Sequence, residues 1–541
     1  MRLSLRSSLA VFVAAATAAT LAAGVPTRVE ARVGTPEPVV AGTGGAAPVW
    51  GECPPAESGV SRDPRQRCAT LRVPLDYRAP RGRSIEIAIS RIGTARPGAR
   101  RGILLSNPGG PGGRGLDLPS RLAVVLPPEV LDRYDLIGFD PRGIGHSTPV
   151  TCGIDTVKQF TLLLPYPAPD GGIERNLAFA RDTAAACAER SGDLLPFVTT
   201  ANTARDMDRI RAALGEPKLS YFGLSYGTYL GAVYISLFPG RADRIVMDSA
   251  ADPGRVWRDM WRTWNEAVAE RLPDLLTFAA ERDAVYHLGA TPEEVRRTFD
   301  RLAAALDRRS LPGPDGLVLD GNALREITRA GLYHSGDFPF IAEFWQELAT
   351  VVPGSTVDTA VLARLGRLSP VGGTGTAQIP ADNQVAALYA VICDDAAWPR
   401  SVALHARQVA ADRRAWPVTA GMPSNLWPCA AWHTRPVEPP VTVTDHGPRN
   451  VLILQNTRDP STSLVSARGL RAVLGRRAVM ITVDQGGHGV VGLGSCADQA
   501  MVTFLADGVL PGRDRLCPAP SPAGVGARST LSPYIPSVGP M

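Results

Sequence analysis

Apolar residues along this chain fall into two textures. Short, dense apolar runs at 69–77, 84–92, 103–106, 134–140, 219–224 and 244–247 read as strands, and 450–454 and 478–483 repeat that character near the C-terminus. The stretch 201–214, ahead of the 219–224 run, reads as a helix. Short apolar strands alternating with helices are buried on both faces, so the pattern predicts an α/β fold: a mainly parallel sheet with helices on both sides. From about 256 to 382 the texture changes, because 257–280, 292–308 and 341–351 read as amphipathic helices and β-branched runs are scarce. Trp257, Trp261, Trp264, Phe344 and Trp345 need burial, which predicts a folded helical cap inserted after the 244–247 strand.

The two ends differ from this body. Arg2 and Arg6 precede an uncharged, mostly apolar run at 9–23 with small residues after it, the make-up of an export signal expected over 1–31. The run is short and alanine-rich for a membrane span, which needs ~20 apolar residues, so no stable membrane insertion is expected. Residues 32–50 read as a flexible mature N-terminus and the Pro/Ser/Gly-rich 518–541 as a disordered tail. The α/β core is then expected in two parts, 51–255 and 383–517, on either side of a cap at 256–382.

Composition narrows the partners. The formal charge of +5 is small for 541 residues, lysine occurs only at Lys158 and Lys218, and no arginine-rich block stands out, which argues against nucleic acid. There are eight cysteines, an even number that in an exported chain predicts disulfides. Pairing in sequence order closes the shortest loops: Cys53 with Cys68, Cys152 with Cys187, Cys393 with Cys429, and Cys496 with Cys517. None stands in a CxxC pair, which weakens any zinc or thioredoxin-like reading, and no metal or organic cofactor is expected.

The sharpest chemical signal is Gly223-Leu224-Ser225-Tyr226-Gly227, a G-x-S-x-G match between a predicted strand and a predicted helix. A serine on such a turn exposes its hydroxyl, and flanking glycines relieve the crowding there. Its position at a helix N-terminus favours developing negative charge, and the Tyr226 N–H is expected to be one oxyanion donor. Asn107-Pro108-Gly109-Gly110-Pro111-Gly112 follows the 103–106 strand and brings bare backbone N–H groups nearby. Gly110 is the expected second donor, with Gly109 as the alternative.

A serine hydroxyl needs a base held in the right tautomer. Among seven histidines only His488 lies in a Gly-Gly-His-Gly loop after a late strand, and Asp459 follows the 450–454 strand. Ser225, Asp459 and His488 then stand in the chain order of α/β-hydrolases. The rival acid is Asp248, at the end of the 244–247 strand, and His146 reads as structural.

These blocks, together with Asp140-Pro141-Arg142-Gly143-Ile144-Gly145-His146-Ser147, Ala204-Arg205-Asp206-Met207-Asp208, Cys393-Asp394-Asp395 and Trp427-Pro428-Cys429, resemble the secreted tripeptidyl aminopeptidases of streptomycetes and related actinobacterial exopeptidases. The resemblance spans roughly 50–517 and is weakest in the cap. It implies hydrolysis of peptides near a free N-terminus, releasing short peptides, with an esterase or lipase as the rival. An aminopeptidase also needs carboxylates for the substrate ammonium. Candidates are Asp337, Glu343, Glu347, Asp394 and Asp395, with the last two preferred because they lie beside a predicted disulfide where the chain re-enters the core.

Overall fold

The computed structural model describes residues 47–56, 60–313, 316–351 and 378–520. The expected export signal, most of the N-terminal segment expected to be flexible, residues 352–377 of the expected cap and the tail from 521 lie outside the described residues. Among the described residues no helix is long and apolar enough to cross a membrane.

Eleven strands are described: β1 (Arg67–Pro74), β2 (Ser84–Ile92), β3 (Gly102–Asn107), β4 (Tyr134–Phe139), β5 (Leu219–Leu224), β6 (Ala242–Asp248), β7 (Leu311–Pro312), β8 (Val318–Leu319), β9 (Val451–Arg458), β10 (Ala478–Gly486) and β11 (Arg515–Cys517). Nine form one sheet in the order β1-β2-β4-β3-β5-β6-β9-β10-β11, and β7 and β8 make a small separate hairpin. Strands β1, β2 and β4 meet antiparallel, and every pairing from β4 to β11 is parallel. All residues of β3, β4 and β5 are buried, as strands covered by helices on both faces must be. This is the mainly parallel α/β sheet that the apolar runs predict.

The topology fixes where chemistry can occur. From β3 the chain steps outward to β4 on one side and returns to β5 on the other, so the loops after β3 and β5 part over a crevice at the carboxyl edge. Asn107 pairs with Gly223 across these strands, which sets the glycine-rich loop beside the Ser225 turn. Asp248 aligns with Leu454, and Arg458 with Gly486, so the ends of β6, β9 and β10 open on the same edge.

Between β6 and β9 no described strand joins the large sheet. The expected 257–280 helix is two helices, Arg258–Arg262 and Trp264–Ala280, and they part at Thr263, whose hydroxyl bonds the Met260 carbonyl. The expected 341–351 helix starts earlier, at Phe338. Trp257, Trp261, Trp264, Trp345 and Trp427 are all buried. Trp261 stacks between Trp257 and Trp427 with centroids 5.7 and 5.8 Å away. Each such pair adds about 0.5–1.5 kcal/mol beyond simple burial. The expected boundary at 382/383 falls at the start of the helix Asn383–Asp395. Asp382 takes the Thr151 hydroxyl and the Cys152 and Ile154 N–H groups, while the Asn383 amide bonds the Gly143 and Val150 carbonyls.

All eight cysteines are bonded, and in sequence order: Cys53–Cys68, Cys152–Cys187, Cys393–Cys429 and Cys496–Cys517.

Two motif residues meet in the core. Arg142 and Asp206 form a fully buried ion pair at 2.7 Å. Arg142 also donates to the Leu75, Phe197 and Pro74 carbonyls, and Tyr77 donates to Asp206. Removing one partner leaves the other charge stranded, so Asp206→Ala is expected to cost about 3–5 kcal/mol. Urea unfolding checks this, and a midpoint equal to wild type would refute it.

Candidate active site

Ser225 sits between β5 and the helix Tyr226–Leu237 with φ 57° and ψ −123°. Such a backbone is strained for any residue but glycine and persists only when its surroundings enforce it. Here the Ser225 N–H donates to the Asp248 carbonyl at 2.9 Å, and the Thr228 hydroxyl donates to the Ser225 carbonyl at 2.6 Å. The turn is also tight: a side chain at Gly223 would stand 2.4 Å from the Gly227 carbonyl oxygen. The Ser225 hydroxyl is buried and has no hydrogen-bond partner among the described residues, His488 included. In free enzymes such contacts are often long and close up around substrate.

His488 Nδ1 lies 2.9 Å from each oxygen of Asp459. The carboxylate is itself held by the Ser461 and Thr462 N–H groups at 2.8 and 3.0 Å, and the Thr462 hydroxyl reaches Asp459 Oδ2 at 3.2 Å. A proton on Nδ1 is therefore directed at Asp459, leaving Nε2 as the basic nitrogen. Asp248, the rival acid, touches no imidazole nitrogen. Its oxygens take the Val490 N–H at 2.9 and 3.0 Å and the Val491 N–H at 3.0 Å, fixing the main chain just beyond His488. Burial pushes Asp248 up to about 7.

The glycine-rich loop presses on the serine turn. A side chain on Gly109 would meet the Leu224 carbonyl oxygen at 2.5 Å and Ser225 Cβ at 3.0 Å. The Gly109 N–H is already spent on Asn107 Oδ1 at 3.0 Å. Among the described residues the Gly110 N–H has no acceptor, and Tyr226 opens a helix, where N–H groups lack intrahelical partners.

The five acids expected at the substrate amine are in different situations. Asp394 accepts from Trp432 Nε1 at 3.1 Å and the Thr434 hydroxyl at 2.5 Å. Asp395 accepts from the Thr200 N–H and hydroxyl at 2.7 and 2.5 Å and from Trp257 Nε1 at 3.2 Å. Thr200 in turn meets the Tyr226 hydroxyl at 3.0 Å, so Asp395 stands behind the serine turn. Burial pushes both acids up to about 7. Glu343 is exposed on the helix Phe338–Val351, and Glu347 is half-buried there. Asp337 differs from all four: burial alone pushes it up to about 6, and its carboxylate has no hydrogen bond or ion pair among the described residues.

Asp337 ends a strap, 332–337, that lies over His488. The Tyr333 carbonyl accepts the His488 N–H at 2.8 Å, and the Tyr333 ring meets the imidazole edge-on at 5.1 Å. Two buried arginines hold the strap. Arg271 donates to the Leu332 carbonyl at 3.1 Å and the Ser335 hydroxyl at 2.7 Å, and Arg329, paired with Glu326 at 2.7 Å, reaches the Tyr333 hydroxyl at 3.2 Å.

Residues 417–517 match the family described as TAP-like protein, and residues 102–322 the family described as alpha/beta hydrolase fold. The tripeptidyl aminopeptidase of Streptomyces lividans is 36% identical over 462 residues, which cover 83% of this chain and 83% of that one. The chain belongs to the tripeptidyl aminopeptidase-like family of α/β-hydrolases. Serine protease Hip1 of Mycobacterium tuberculosis is 28% identical over 86% of this chain and 90% of its own. Carboxylesterase B of the same organism is 31% identical over 92% and 96%. In this tripeptidyl aminopeptidase-like chain the sequence reading passed over Thr462 and the strap. Thr462 carries a faint local signal, a hydroxyl three residues after Asp459. Tyr333 carries none, since only the folded chain brings its carbonyl to His488.

Proposed function

We propose that this chain is an exported serine aminopeptidase that hydrolyses peptide bonds near a free N-terminus and releases short peptides, tripeptides among them. The observation that carries this reading is the 2.9 Å contact of His488 Nδ1 with Asp459 at the edge where the Ser225 turn and the glycine-rich loop meet. Ser225 Oγ attacks the substrate carbonyl while His488 Nε2 takes its proton, and Asp459 stabilises the imidazolium. The Gly110 and Tyr226 N–H groups receive the oxyanion. His488 then passes the proton to the departing amine, and water, activated by the same imidazole, cleaves the acyl-enzyme.

The substrate ammonium is assigned to Asp337, because a shielded carboxylate without a partner is the one a cation improves most. Asp394 and Asp395 already hold neutral donors and brace the core around the serine turn. The helices between β6 and β9 act as the cap that limits how much peptide precedes the scissile bond. Four disulfides and the charged-then-apolar start of the chain support an oxidising, extracellular location.

Hydrolysis of one tripeptide anilide with a free and then an acetylated N-terminus tests the reading. Cleavage of the free form alone is expected. The similarity to carboxylesterase B keeps a second reading, ester hydrolysis by the same residues. Turnover of simple esters with neither anilide cleaved would replace the first reading with the second.

A further inference from the structure

The strap over His488 carries a second histidine to which the reaction above gives no part. His334 lies close enough to His488, Arg271 and Asp459 for their charges to act on it. Its Nε2 is fully enclosed, and neither ring nitrogen hydrogen-bonds any described residue. An enclosed polar atom left unpaired costs about 1–3 kcal/mol, so folded chains rarely keep one without use. The contrast within this molecule is the buried His405, whose ring nitrogens meet the Ser424 and Pro399 carbonyls at 2.9 and 3.1 Å. That imidazole is satisfied by the fold, and the one at 334 is held in place with its hydrogen-bonding capacity unspent.

The strap's anchors are all on other groups. Arg271 grips Leu332 and Ser335, Arg329 grips the Tyr333 hydroxyl, and the Tyr333 carbonyl grips His488. The residue between these anchors is presented without a fold partner, beside the imidazole that handles the leaving group. We propose that His334 is a substrate-contacting specificity residue, whose Nδ1, the ring nitrogen that the fold does not enclose, hydrogen-bonds a main-chain amide of the bound peptide next to the scissile bond. This rests on the peptidase reading of the site.

Charge state fits the role. Burial, with His488 and Arg271 nearby, holds His334 down to about 4, so it is neutral while the enzyme works. A neutral imidazole offers one donor and one acceptor, the two groups a peptide backbone complements. It also adds no second positive charge beside the imidazolium that His488 becomes during acylation. A simple ester such as p-nitrophenyl acetate has no main-chain amide for it to meet.

The experiment compares a free-amine tripeptide anilide with p-nitrophenyl acetate for wild type, His334→Phe and His334→Gln. The ratio of anilide to acetate kcat/KM is expected to fall about 10- to 50-fold in the Phe variant, the loss of one well-placed hydrogen bond and the stranding of its substrate partner. The Gln variant, which keeps a donor and an acceptor, recovers part of the ratio and carries the test should the Phe variant not fold. An unchanged ratio overturns the proposal, whether both activities stay or fall together; a joint fall marks His334 as acting on His488 instead. Wild-type cleavage of the anilide with an unchanged ratio defeats this inference alone. Its absence in wild type defeats the peptidase reading and this inference with it.

Discussion

Ser225→Ala is expected to lower kcat on a free-amine tripeptide anilide by about 10⁶, and Asp459→Asn by about 10⁴, in line with the loss of a nucleophile and of its imidazole-orienting acid in serine hydrolases generally. The physical grounds differ. Without Ser225 no acyl-enzyme forms. With asparagine at 459 the amide can donate to Nδ1, which favours the tautomer whose proton sits on Nε2, where a lone pair is needed. Asp248→Asn makes the comparison informative. The Asp248 carboxylate takes the Val490 and Val491 N–H groups and the Ser249 hydroxyl, and an asparagine oxygen still accepts from those N–H groups. Its loss is expected to be about tenfold, the scale of a weakened hydrogen bond. Steady-state kinetics of the three variants decide the matter: a larger loss at Asp248 than at Asp459 would exchange their roles.

Asp337→Asn is expected to lower kcat/KM for the free-amine anilide by about 10²-fold, since breaking a shielded charge pair costs about 2–5 kcal/mol. The effect falls mainly on KM, and the poor turnover of the acetylated anilide is left where it is. The pH dependence follows from the same carboxylate. Burial raises Asp337 to about 6, so lowering the pH through 6 protonates it and is expected to weaken binding of a free-amine substrate. At the other limit a peptide α-amino group loses its charge near about 8. Affinity for free-amine substrates is therefore greatest between these limits, and the acid limb disappears in the Asn variant.

The sign for stability is opposite. A carboxyl whose folded pKa is raised favours folding below the unfolded value of about 3.9 and progressively opposes it as pH climbs to 6. Asp337→Asn is thus expected to hold or raise Tm at pH 8 while weakening binding. A variant with unaltered KM would remove Asp337 from the amine site.

The sheet could be read from the chain because each central strand carries a short dense apolar run, Ile103–Leu105 in β3 and Ile245–Met247 in β6 for example, so β3 to β6 declare themselves locally. The cysteines could be paired because neighbours in sequence are neighbours in space. Other choices depend on what arrives from far along the chain. Asp248 and Asp459 both follow strands, and only the folded molecule sets one against imidazole nitrogen and the other against main chain. Asp394 and Asp395 lie where a binding carboxylate was expected, yet Thr200, Trp257, Trp432 and Thr434 reach them from distant segments and occupy their oxygens. Asp337 has no such visitors, and no spacing rule announces an absence. The break of the 257–280 helix at Thr263 is local, but its amphipathic pattern continues across the break and conceals it.

The order of the disulfides bears on how the molecule is made. Their partners are separated by 15, 35, 36 and 21 residues, and no bridge spans another. A chain that enters an oxidising compartment amino end first presents each cysteine with its correct mate before any later cysteine appears. Indiscriminate oxidation in order of emergence then produces the native set, so biosynthesis has little call for enzymes that break and reshuffle wrong bridges. Bridges of this kind also stay within short neighbourhoods. The first three lie wholly ahead of β9 and β10 in the chain, and the fourth, Cys496–Cys517, ties β11 to the helix that follows β10.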